Sequence, residues 1–339
     1  MSLLLIDGSS ILNSCFFGTV PPEYFRAKTS EEKRFVLPSI MQTKTGIFTN
    51  GVYAMCKSLK NLIERCKPQY LAVAWDVTRD TFRRELYPDY KANRAETAPE
   101  LKSQFAIMQD VLRAAGIKQF MDSNIEADDF IGSLSRQFES QTPVYIYTKD
   151  QDVLQLVSDR TRVWLITNKA EDLKRIYGKP EGFVPNGAFE FTPLLVKEVY
   201  GLNPEQIIDK KALEGDSSDN IPGVRGVGEK AAVPLLQKYG TVEGIYDALE
   251  DEKHFKDVCK DLGIRSPIKA LTEGRELAYL SKTLATIKIC SLPVSLEELK
   301  LQIDRYSLDA KFRELEFTSL VSMPAVPQKV EIQVQGALF

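Results

Sequence analysis

Apolar and polar positions divide this chain into two stretches of different rhythm. Residues 3–6 form a short apolar run that stops at Asp7-Gly8. Over residues 51–66, Val52, Met55, Cys56, Leu59, Leu62 and Ile63 recur near a 3.6 period, which predicts a helix that Pro68 ends. Residues 70–75 read as a buried strand ending in Asp76, 100–115 as a helix closed by Gly116, and 117–120 as a short strand. A helix over 127–138 is opened by Glu126 and Asp128, and a strand over 144–147 runs into Asp150 and Asp152. Strands alternating with helices predict an α/β fold with a doubly wound, mainly parallel sheet. From about Thr192 the apolar spacing becomes helical, with Gly and Pro between short elements, which predicts a second, smaller domain. The expected division is 1–190, 191–320 and a tail over 321–339 that begins Pro-rich. Residues 19–45 and 168–190 read as insertions.

Composition removes several chemistries. With one histidine, His254, there is almost no material for serine–histidine, cysteine–histidine or most zinc mechanisms. The five cysteines are scattered without paired spacing, which fits free thiols in a reducing compartment. No apolar run reaches the ~18 residues of a membrane helix. The N-terminal run is too short for a signal peptide and lacks a basic flank, so the expected location is the cytoplasm. A formal net charge of -3 does not by itself suggest a nucleic-acid partner. With the nine acids named below set aside as metal ligands, the balance becomes 44 basic against 38 acidic residues.

Those acids carry the candidate chemistry. Three predicted strands end in aspartate, at Asp7, at Asp76 and at the Asp150/Asp152 pair. In an open parallel sheet, ligands bind outside the carboxyl ends of the strands, so the three would share one edge. Glu126-Ala127-Asp128-Asp129 and Gly215-Asp216-Ser217-Ser218-Asp219 add acids at i, i+3 spacing. Nine converging carboxylates require cations. Hard oxygen donors without histidine or thiolate select magnesium or manganese, and two such ions form the usual clamp for phosphoryl displacement.

Two further stretches suggest nucleic acid. Residues 78–99 interleave Arg79, Arg83, Arg84, Lys91 and Arg94 with Phe82, Tyr87 and Tyr90. Charges that track phosphate beside rings that stack on bases suit a single strand, and this stretch could arch over the metals. Residues 221–232 place Gly223, Gly226 and Gly228 just before a helix that starts near Glu229 and includes Lys230. Such a hairpin turns free amides toward a phosphate and grips a duplex without reading its sequence.

Taken in order, Leu5-Ile6-Asp7-Gly8, Ala74-Trp75-Asp76, the stretch 82–94, Glu126-Ala127-Asp128-Asp129, Asp150-Gln151-Asp152-Val153-Leu154 and the stretch 215–224 resemble the 5′ nuclease family. That family includes the flap endonucleases and the 5′–3′ exonuclease domain of bacterial DNA polymerase I. The resemblance spans most of residues 1–290. It implies a PIN-like core, a helix–three-turn–helix element at 221–232, and magnesium-dependent two-metal hydrolysis of DNA that leaves 5′-phosphates.

Through the same resemblance, Asp7, Asp76, Glu126, Asp128 and Asp129 would serve mainly one ion, and Asp150, Asp152, Asp216 and Asp219 the second. Lys91 and Arg94 would be catalytic. Tyr90, Arg83, Arg84, Gly223, Gly226, Gly228 and Lys230 would bind substrate, with potassium at the hairpin. The expected partners are branched or 5′-ended DNA, or RNA primers on DNA. Lys149 and Gln151 depart from the family's usual residues beside Asp150, and too few residues remain for a polymerase domain. The rival reading is a non-catalytic DNA-junction binder of the same fold. Last, Gln335, Leu338 and Phe339 resemble the short peptides by which bacterial repair proteins bind the sliding clamp.

Overall fold

Leu3–Asp7 (β1) is buried at every position, as expected for a strand in the middle of a sheet covered on both faces. The computed structural model describes residues 2–180 and 182–322, so the clamp-binding expectation for Gln335, Leu338 and Phe339 lies outside the described residues. Tyr70–Asp76 (β2), Lys118–Asp122 (β3), Val144–Thr148 (β4), Thr161–Ile166 (β5) and Ala188–Phe191 (β6) complete one sheet in the order β3-β2-β1-β4-β5-β6. Every pairing is parallel except the last, β5 with β6. The chain leaves β1 toward β2 on one side and returns at β4 on the other. The order therefore reverses between β1 and β4, which is where such sheets open a ligand crevice.

The two-residue period of β1 sends its side chains to opposite faces. Leu4 and Ile6 enter one core, with the helices Gly8–Phe17, Asn50–Cys66 and Pro99–Ala114. Leu3 and Leu5 enter the other, with the helix Ala127–Phe138 and the 3-10 turn Asp152–Leu156. A third core, from Leu202 to Ala278, belongs to the helical unit alone. No helix among the described residues is long and apolar enough to cross a membrane.

The division between units differs from the expected one. Residues 287–322 do not continue the helical unit but return to the sheet. Ile287, Val294 and Leu299 join one face of it, and Phe312, Leu315, Phe317 and Leu320 join the other. Lys300 bridges Tyr70, and Leu301 N–H donates to the Gln69 carbonyl. Neither apparent insertion is a bare loop. Residues 19–45 contain the helices Pro22–Arg26 and Ser30–Val36, and residues 168–190 contain the helix Ala170–Tyr177 and most of β6.

Candidate active site

Strands β1, β2 and β4 are neighbours, so their ends place acids side by side. Asp7 closes β1 and caps the next helix, accepting from Ser10 N–H at 2.9 Å. Its other oxygen accepts from the hydroxyl of the fully buried Thr148 at 2.8 Å. Asp76 ends β2 and accepts from Ala127 N–H at 2.9 Å, which ties this strand end to the helix carrying Asp128. After β4 the chain turns tightly: Asp150 N–H donates to Thr148 Oγ1, and Asp152 N–H to Asp150 Oδ1. Asp216 lies on the loop after the helix Gln206–Glu214, where Ser218 holds one of its oxygens.

Six of the nine expected acids, Asp7, Asp76, Asp128, Asp150, Asp152 and Asp216, line one cleft of about 890 Å³. Lys91, Arg94 and Lys211 stand among them. Glu126 lies alongside, buried behind Lys91, which it meets at 2.6 Å. Asp219 is buried and paired with Arg94. Asp129 does not reach the cleft. It faces the protein interior, where Arg83 grips both its oxygens at 2.7 and 2.9 Å and Lys288 N–H adds a third bond.

The electrostatics separate the acids into two groups. Burial, then the charge of Asp76, pushes Asp7 up to about 7. Burial, then Asp150, does the same to Asp152, again to about 7, although Lys211 opposes it. Asp128 is raised well above the carboxylate range by burial and by Asp150, Asp7 and Asp76. Glu126 behaves oppositely: burial works to raise it, but Lys91 and Arg83 bring it down to about 2. Asp216 likewise falls to about 2, because bonds from Lys211 and Ser218 outweigh burial.

Burial and neighbouring carboxylates thus disfavour the charged forms of Asp7, Asp128 and Asp152, the condition that a bound cation relieves. No histidine or thiol lines the cleft, so its donors are oxygens, as magnesium or manganese prefers. Among the described residues no three of these acids close into a finished cage. They face each other across an open cleft with cations interposed, and as a donor set they fit divalent ions.

The stretch expected to arch over the metals lies against the acidic loop. Residues 78–99 do not stand free. They form the helix Phe82–Leu86 and then turns that are stitched to the acidic loop. Lys91 N–H donates to the Asp219 carbonyl at 2.8 Å, Asn93 to the Ser217 carbonyl, and Asn220 to the Asp89 carbonyl. Lys91 and Arg94 face the cleft as expected.

Arg83 and Tyr90 are not available to substrate. Arg83 is 3% exposed and, besides Asp129, donates to the carbonyls of Leu284 and Thr286. Tyr90 packs with Ile221, Leu284 and Ala285, so its ring cannot stack on a nucleotide. Arg84 is partly exposed and pairs with Asp80. Arg83 is therefore a rivet between the 82–86 helix, the acidic helix and the end of the helical unit. Replacing it with methionine leaves Asp129 and Glu126 buried without their guanidinium, and a stability loss of about 3–5 kcal/mol is expected in urea unfolding. A loss below about 1 kcal/mol would contradict this role.

The hairpin residues lie between the acidic loop and the helix Glu229–Tyr239. Gly223 has φ +61, and a Cβ there would lie 2.2 Å from Gly215 N, so this glycine packs the turn against the acidic loop. Gly226, at φ +90, has open space where a Cβ would point, and Gly228 precedes the helix Glu229–Tyr239. Arg225 and Lys230 are exposed there and line a groove with Gly226.

Sequence reasoning missed Lys211, which binds both Asp152 and Asp216 and is raised by them against burial. Its signal was a lysine five positions before Asp216 on the preceding helix. It also missed Thr148, whose only trace was its place two residues before Asp150.

Comparisons with known proteins agree with this fold. Residues 2–181 match the model of the 5′–3′ exonuclease N-terminal resolvase-like domain, and residues 202–307 that of the 5′–3′ exonuclease C-terminal SAM fold. DNA polymerase I of Bacillus caldotenax is 36% identical over 97% of this chain, and that of Bacillus subtilis 34% over 94%. The chain spans about a third of the length of these relatives, 33% and 32%. Among solved structures, T5 5′-exonuclease with bound zinc superposes with a TM-score of 0.58 at 19% identity, covering 94% of this chain and 99% of that one. The T5 flap endonuclease in complex with DNA and metal ions gives 0.58 at 18% identity, covering 95% and 100%. Human GEN1 on Holliday junction DNA gives 0.55 at 14%, covering 93% and 68%.

Proposed function

Because this chain belongs to the 5′–3′ exonuclease family, we propose that it is a divalent-metal-dependent, structure-specific 5′ nuclease. Its substrate is branched or 5′-ended DNA, including RNA primers on DNA, which it hydrolyses near the single-strand/duplex junction to leave 5′-phosphates. The observation that carries this reading is the single cleft at the strand-order reversal, with six carboxylates and two arch cations, beside a basic glycine hairpin.

Asp7, Asp76 and Asp128, with Glu126 behind them, would hold one magnesium ion, and Asp150, Asp152, Asp216 and Asp219 a second. When bound, the ions supply Lewis acidity and charge neutralisation at the scissile phosphate. Lys91 and Arg94 add positive charge at the rim of the cleft, where negative charge develops on the reacting phosphoryl group. Lys211 bridges Asp152 and Asp216 and holds the two carboxylates close together. The hairpin would hold the duplex through its phosphates, with potassium a candidate ligand of its turn. The T5 enzyme solved with DNA and metal ions supports the substrate class by analogy of fold.

A 5′-flap duplex tested with and without magnesium separates the readings. Cleavage that EDTA stops is the expected result. Magnesium-independent binding without turnover would make the chain a junction-binding protein instead.

The hairpin and the tail each supply a further test. Gly226→Val places a branched side chain at positive φ on the open side of the hairpin, and should weaken duplex binding alike on all sequences. A loss confined to some sequences would mean base readout, contrary to the proposal. The clamp contact of Gln335, Leu338 and Phe339 rests on sequence alone. Deleting residues 335–339 should abolish binding to a bacterial sliding clamp without slowing cleavage of a free flap oligonucleotide. Slower cleavage by the truncated chain would make the tail part of the enzyme.

A further inference from the structure

Residues 19–45 hold a group of exposed rings that the nuclease machinery does not account for. Phe25 is 62% exposed and Phe35 87%, on two consecutive short helices, and Phe17 before them is 41% exposed. Left to water, such rings forfeit the burial that would favour them, and an exposed apolar patch of this kind marks a contact surface. The helices that carry them are well anchored. Tyr24 and Ile40 are buried in the sheet's core, Tyr24 Oη donates to Glu100 at 3.2 Å, and Thr29 and Glu32 form a reciprocal cap on the second helix. Phe25 and Phe35 are the large apolar side chains that these helices leave exposed.

Two observations say what covers them. The near end of this group meets the cleft: Phe17 lines the cavity of Asp7, Asp76 and Asp150 and also the adjoining cavity of Lys91 and Arg94. Its ring lies 6.1 Å from that of Phe25, at 36°. The segment also carries cations. Arg26, Lys28 and Arg34 are exposed on it, alongside the acids Glu23, Glu31 and Glu32, and none of the three cations has an ion-pair partner among the described residues. Rings set among free cations suit unpaired nucleotides, whose bases stack while their phosphates are neutralised.

We infer that residues 19–45 form a stacking platform, with Phe25 and Phe35 as its faces, for unpaired bases of the DNA strand leaving the cleft. The inference rests on the nuclease reading above and adds the part of the substrate that this segment holds.

The test uses the full chain in calcium, with 2-aminopurine placed in the unpaired arm of a flap duplex and, separately, in a fully paired duplex. Wild-type protein should quench the unpaired probe. Phe25→Ala/Phe35→Ala should lose the quench and bind the flap at least about tenfold more weakly. Binding to paired duplex should change less than twofold, and Phe25→Tyr/Phe35→Tyr should restore the quench. Unchanged quenching, or equal weakening on both DNAs, overturns the platform. So does a wild-type chain that is dimeric by light scattering and becomes monomeric in the alanine variant, because the rings would then cover each other. If the wild type binds neither DNA in calcium and cleaves neither in magnesium, the nuclease reading itself falls; wild-type cleavage in magnesium with unaffected variants removes only the platform.

Discussion

Replacing Asp150 or Asp216 with asparagine is expected to abolish magnesium-dependent cleavage while leaving DNA affinity in calcium nearly unchanged. Both substitutions keep the shape and one acceptor oxygen. In Asp150→Asn the side-chain carbonyl could still receive the Asp152 amide, and in Asp216→Asn it could still receive the Ser218 amide and hydroxyl. What disappears is one negative charge on each wall of the cleft, and with it the field that would draw a divalent ion there. Single-turnover rates on a flap duplex check the first half, and fluorescence anisotropy in calcium checks the second. Near-normal turnover in either variant would remove that residue from the metal site. A collapse of binding in calcium would make the acid a structural group of the acidic loop.

Lys91→Ala is expected to slow single-turnover cleavage by about 10²-fold or more, with a smaller change in affinity. The lysine sits at left-handed φ, 55°, in a turn whose own N–H is bonded to the Asp219 carbonyl, so its ammonium is aimed rather than free. It meets Glu126 at 2.6 Å and Asp219 at 3.8 Å. Alanine therefore removes positive charge from the reacting phosphate and also uncovers two buried acids. Thermal melting distinguishes the effects: a rate loss at nearly unchanged melting temperature places Lys91 in catalysis. If affinity alone falls, the lysine is a phosphate tether.

The acidic site was legible because each part of it announced itself locally. β1, β2 and β4 are short apolar runs that end in or run into aspartate, and the helix over 127–138 is bounded at both ends as the sequence predicts. What stayed hidden depended on partners far away in sequence. Arg83, between Phe82 and Arg84, reads as a nucleic-acid contact until Asp129 is seen across from it. Asp129 reads as a ligand for the same reason. Tyr90 looks available because nothing local to it reveals Ile221 or Leu284. The helix Gly8–Phe17 escapes because Gly, three Ser and Asn blur its period, and β6 because four residues, all buried, carry no alternation. The return of residues 287–322 to the sheet is illegible in principle, since helical periodicity shows that a face is apolar but not which core takes it.

That return sets the order in which the chain can mature during synthesis. Translation delivers the six strands early, yet Phe312, Leu315, Phe317 and Leu320 emerge long after the helices Asn50–Cys66 and Pro99–Ala114 with which they pack. A nascent chain that has made the sheet and the helical unit but not residues 287–322 therefore carries a sheet with part of each apolar face bare, while the helical unit can already close around its own core. This late segment acts as a latch, and the window before it shuts is when the nascent chain is most open to chaperones, proteases and aggregation.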